Sequence, residues 1–65
     1  MLLELSEVEG RELKQALDTA LRELLDEISR TDQRAYRDML RERHDRLEQL
    51  NRRLEMSLEG NPVYA

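Results

Sequence analysis

Four arginines set the first chemical question. Arg30, Arg34, Arg37 and Arg41 recur at steps of four, three and four residues through "RTDQRAYRDMLR". A guanidinium pairs with phosphate oxygens in a bidentate fork, so a row of them on one helix face can follow a nucleic-acid backbone. Acids at helix-neighbour spacing compete for that row. Asp26–Arg30, Asp38–Arg41, Glu42–Arg46 and Glu48–Arg52 are all three or four residues apart and would partly neutralise it. The chain as a whole carries a net charge of −4, and its aromatics are Tyr36 and Tyr64 alone. Stacking platforms for single strands are therefore missing. The row reads first as an ion-paired helix face. As a nucleic-acid face it gains weight only where a dimer doubles it.

His44 is the single histidine, followed by Asp45 and, four residues on, Glu48. A metal site needs three or four convergent ligands. Helical di-metal sites use Glu-x-x-His, and Arg41 stands where that glutamate would be. His44 therefore reads as a partner-facing or half-exposed residue, and no metal or cofactor is expected. Glu23, Asp26 and Glu27 cluster on one stretch, but as a solvated face rather than an acid–base pair. Nothing resembles a glycine-rich phosphate loop or a Ser/His/Asp set, and two helices offer little concave volume for a substrate. The residues point away from catalysis and towards binding.

The elements that would carry these residues are helices. Ser6 and Glu9 have capping-box spacing, and Glu7 and Glu9 suit the positive end of a helix dipole. Gly10 weakens this first turn by roughly 1 kcal/mol relative to Ala, enough to fray it. Beyond it, Leu13, Leu17, Ala20, Leu21, Leu24, Leu25 and Ile28 form a broad apolar stripe at helical spacing. A second stripe holds Tyr36, Leu40, Leu47, Leu50, Leu54 and Leu58, with Met39 beside it and Arg43 interrupting it. Leu40, Leu47 and Leu54 repeat every seven residues, as in a coiled-coil seam. Tyr36 is expected under the turn, and Met39 and Met56 as core filler, with an adaptable partner surface as the alternative.

Whether one helix runs through "ISRTDQRAYR" decides the architecture. Continuing the first stripe in heptad steps past Ile28 meets Thr31, Ala35, Asp38, Glu42 and Asp45, so the seam vanishes. One long helix would put its two stripes on different faces. A turn lets them face each other, and Ser29, Thr31 and Asp32 are residues that favour caps over helix interiors. The sequence thus predicts an all-α antiparallel hairpin: a helix over about 7–29, a turn over about 30–32, a second helix over about 33–59, and a flexible tail at 60–65 after Gly60 and Pro62.

A chain of 65 residues without cysteine has no disulfide or thiolate metal site to reinforce a small core. Association is the remaining staple, and two hairpins make a four-helix bundle. Leu17, Leu21, Leu24, Ile28, Leu40, Leu47, Leu50 and Leu54 are the expected core and interface. Charge is divided: residues 1–29 hold 8 acids and 3 bases, whereas residues 30–55 hold 6 acids and 8 arginines. Such halves attract weakly when laid side by side. The opening "MLLELSEVEG" lacks the basic start and cleavage site of a signal peptide, and no apolar run is long enough to span a membrane. A cytoplasmic setting fits the absence of cysteine.

Leu21, Leu24, Glu27, Ile28, Thr31, Asp32, Arg37 and Leu40 follow a pattern of leucines, Glu-Ile, Thr-Asp, Arg and Leu. In this the middle of the chain resembles a family of short bacterial helical-hairpin proteins, which implies the hairpin and brings no activity with it. The architecture is also similar to the Rop family of plasmid-encoded hairpins, through length and turn position rather than residues. That resemblance implies a homodimeric four-helix bundle binding paired RNA loops, here through Arg30, Arg34, Arg37 and Arg41. The sequence alone therefore points to a small non-enzymatic interaction or regulatory module that homo-oligomerises or meets a protein partner, with RNA binding as the alternative.

Overall fold

The computed structural model describes residues 3–58, and they form a helical hairpin. Helix α1 spans Glu7–Arg30 and helix α2 spans Arg34–Leu58, joined by residues 31–33. The first helix ends one residue later, and the second begins one residue later, than the sequence predicts. The expected C-terminal residue 59 and the tail 60–65 lie outside the described residues.

The start of α1 is fixed by the reciprocal bonds that its sequence announces. The Glu9 backbone N–H donates to Ser6 Oγ at 3.1 Å, and the Ser6 N–H donates to Glu9 Oε1 at 2.9 Å. Two N–H groups that a helix start leaves unpaired are thereby satisfied. Gly10 does not fray the turn; it is buried. A Cβ there would stand 2.8 Å from Leu58 Cδ2, so the glycine admits the last turn of α2 to close approach.

The chain leaves α1 at Thr31, whose backbone is extended (φ −87°, ψ 138°) while its N–H still donates to the Glu27 carbonyl at 3.1 Å. Ser29, predicted as a cap, is instead helical. Its hydroxyl donates back to the Asp26 carbonyl at 2.7 Å and so is spent inside α1. Thr31 Oγ1 accepts the Gln33 N–H at 3.3 Å, and the Gln33 carbonyl accepts the first α2 bond from the Arg37 N–H at 2.9 Å. The side chain of Arg37 closes the turn: its Nη2 donates to the Thr31 carbonyl at 2.6 Å. Four hydrogen bonds thus replace the Gly or Pro that the turn lacks.

The antiparallel register is set by Gly10 against Leu58, Lys14 against Glu55 and Asp18 against Asn51. Between these levels the two stripes meet. Leu17 and Leu40 are the apolar residues that become buried; Leu21, Leu24, Ile28, Leu47 and Leu54 are half-buried, and Leu50 remains 50% exposed. The expected fillings of the core fall short elsewhere too. Tyr36 is 39% exposed rather than tucked under the turn, and Met39 and Met56 are 52% and 71% exposed. A fully buried leucine is worth about 1.5–3 kcal/mol, while ordering each residue costs about 1–2 kcal/mol of backbone entropy. Two buried leucines leave this core thin.

Candidate functional site

A hairpin has two open faces, one on each side of the plane through its helices. At about 100° per residue, side chains three and four apart share a face. The two faces of this hairpin differ sharply.

The first is a charged face built around Asp18. Lys14 Nζ lies 2.8 Å from Asp18 Oδ1 and 3.5 Å from Glu55 Oε2, and Asn51 Nδ2 donates to Asp18 Oδ1 at 2.9 Å. The Lys14 ammonium, followed by the Asn51 amide, holds the Asp18 carboxyl below its usual value. The hydrogen bond to Asp18 in turn raises the Lys14 ammonium. Asn51 is buried, and its Oδ1 has no partner among the described residues. Sequence reasoning passed over Lys14, Asp18 and Asn51. The signal was available for Asn51, which sits between Leu47 and Leu54 at steps of four and three on the second stripe.

Further along the same face His44, Asp45 and Glu48 bring their donor atoms within 4.8 Å of one another. His44 Nδ1 is 3.6 Å from Asp45 Oδ1. All three side chains stand on one helix, and Asp45 is 73% exposed. Among the described residues no fourth His, Asp or Glu donor joins them.

The predicted arginine row is divided. Arg30 belongs to α1 and pairs with Asp26. Arg37 is half-buried against the Thr31 carbonyl. Of the row, Arg34 and Arg41 stand exposed without an ion pair among the described residues. Of the helical pairs expected around the row, Asp26–Arg30 and Glu48–Arg52 form, the latter at 3.8 Å. Asp38–Arg41 and Glu42–Arg46 do not. All four of these side chains are exposed, where an extended side chain gains little from pairing.

The second open face is apolar. Leu13, Leu17, Leu50 and Leu54 line one shallow groove, which Leu3 and Leu5 extend from the segment before α1. Towards the turn the same face carries Leu24 and Leu47, then Met39 and Tyr36, by helical position. Of these, Leu5, Leu13, Tyr36, Met39 and Leu50 keep between 37% and 52% of their surface in solvent. Leu50, expected in the core or interface, is thus placed on the open side.

No helix among the described residues is long and apolar enough to cross a membrane. Compared with protein-family models, with curated proteins and with solved structures, the chain matches none.

Proposed function

We propose that this chain is a binding module that acts by packing its open apolar face against another helical surface, without chemistry of its own. The observation that carries this reading is the distribution of apolar side chains. Leu17 and Leu40 are buried between the helices, whereas Leu13 and Leu50 line one open groove with Tyr36 and Met39 on the same side by helical position, and Leu25, 54% exposed, stands apart on the other face. Contiguous apolar surface of that kind on a small chain marks an interaction site. A hairpin with so thin a core also gains from being covered. The role is that of a regulatory or adaptor subunit in a reducing, cytoplasm-like setting, to which a cysteine-free chain is suited.

RNA binding is the weaker reading. Of its four arginines, Arg30 is held by Asp26 and Arg37 by the turn. Arg34 and Arg41 remain, on a chain of net charge −4.

The test is Leu50→Asp. Leu50 is half-exposed within the hairpin, so a charge there spares the fold and burdens only what packs on the face. Sedimentation equilibrium should show the parent associated and the variant at the monomer mass, with helical circular dichroism retained in both. An unchanged mass for the variant would remove this face from the interface.

A further inference from the structure

The rims of the apolar face carry charges that the hairpin itself does not pair. By helical position, Glu12, Glu23 and Glu27 flank it along α1, Arg46 and Arg53 flank it along α2, and Arg43 interrupts its α2 side. None of these six takes part in an ion pair among the described residues; the pairs that form are Glu7–Arg11, Lys14–Asp18, Lys14–Glu55, Asp26–Arg30 and Glu48–Arg52. One edge of the face is thus mostly acidic and the other, Glu42 apart, basic.

We infer that the occupant of this face is a second copy of the chain, stacked so that α1 of each copy lies on α2 of the other, with both turns at the same end. This rests on the reading that the apolar face is the interface. A face acidic on one edge and basic on the other is complementary to itself under one two-fold operation only. A two-fold axis parallel to the helices lays the acidic edge on the basic one. An axis across the helices lays α1 on α1 and α2 on α2, so acid meets acid, base meets base, and the turns lie at opposite ends. Like charges juxtaposed across an interface select against that alternative.

The register supports the same choice. Lys14 stands opposite Glu55 and Asp18 opposite Asn51 within the hairpin. Carried towards the turn, this puts Arg46 at the level of Glu23 and Arg43 one residue, about 1.5 Å, from the level of Glu27. A parallel axis preserves levels, so Arg46 meets Glu23 of the second copy and Arg43 meets its Glu27. Each contact occurs twice, and between the two rims the leucines, Met39 and Tyr36 of both copies close over one another.

Spin labelling separates the arrangements, and the absence of cysteine makes Asp32→Cys a single labelling site. Asp32 is exposed in the turn and makes no side-chain hydrogen bond among the described residues. With helices spaced about 10 Å apart, turns at one end give a label-to-label distance of roughly 15–25 Å in pulsed dipolar spectroscopy. Turns at opposite ends give about 36 Å or more, the length of α1 at 1.5 Å per residue. The short distance is the expected result. The long one overturns the arrangement while leaving a dimer in place. No dipolar signal, with a monomer mass in the same sample, overturns the arrangement and the interface reading together. Charge reversal gives an independent check. Arg43→Glu with Arg46→Glu should weaken self-association by roughly tenfold or more, and adding Glu23→Arg and Glu27→Arg in the same chain should restore it. Self-association unaffected by the first pair of changes would contradict the proposal.

Discussion

At the scale of single residues, the polar side chains between the helices fix what the leucines leave open. Leucine on leucine tolerates sliding by a turn; Asn51 on Asp18 does not, because displacement strands a carboxylate and an amide that now satisfy each other. The same network gives stability a pH dependence whose sign can be worked out. The Asp18 carboxyl is held below its usual 3.8, so its contribution is present above about pH 4 and is lost as pH falls through the lower folded-state value. The Lys14 ammonium is raised above 10.5, so its contribution is present below that pH and is lost as pH rises through the higher folded-state value. Thermal melts should therefore show a plateau for this network across neutral pH and a fall in Tm below about pH 4. Asp18→Asn should flatten part of that fall; an identical acid profile in the variant would mean that Asp18 carries none of it.

At the scale of elements, much was legible in the sequence and the failures have physical causes. The capping box was readable because Ser6 and Glu9 are local partners, three residues apart. The hairpin was readable because the two apolar stripes differ in phase, which a continuous helix cannot reconcile. The turn chemistry was left open because Ser29, Thr31 and Asp32 are all capable caps, and tertiary contact chooses among them. Arg37, six residues past Thr31, closes the turn from α2, a contact that no spacing rule announces. Gly10 was misjudged for a related reason: its local cost is visible in the sequence, while the Leu58 side chain it accommodates comes from the far end of the chain. The cap can be tested directly. Ser6→Ala should cost about 1 kcal/mol in stability and speed amide exchange at Glu9 and its neighbours. Unchanged exchange there would show that another group anchors the helix start.

At the scale of the whole molecule, two faces with opposite characters share one thin core. The charged face pairs its own groups through Lys14, Asp18, Asn51 and Glu55, leaving Asn51 Oδ1 without a partner among the described residues. The apolar face satisfies neither its leucines nor its rim charges within one chain. The sequence announced the second stripe's leucines but not that Leu50 would be left outside, since an apolar position on a helix does not say which neighbour covers it. The charge division between the two halves was legible as a bulk bias; only the hairpin sorts it into an acidic and a basic edge of the same face.

The most direct measurement is sedimentation equilibrium of the unaltered chain across a range of concentrations, with thermal melts on the same samples. Association across the apolar face predicts twice the chain mass of 7.8 kDa and a Tm that rises with concentration. A constant mass of 7.8 kDa with a cooperative melt independent of concentration would show a hairpin that is stable alone, and would contradict the account.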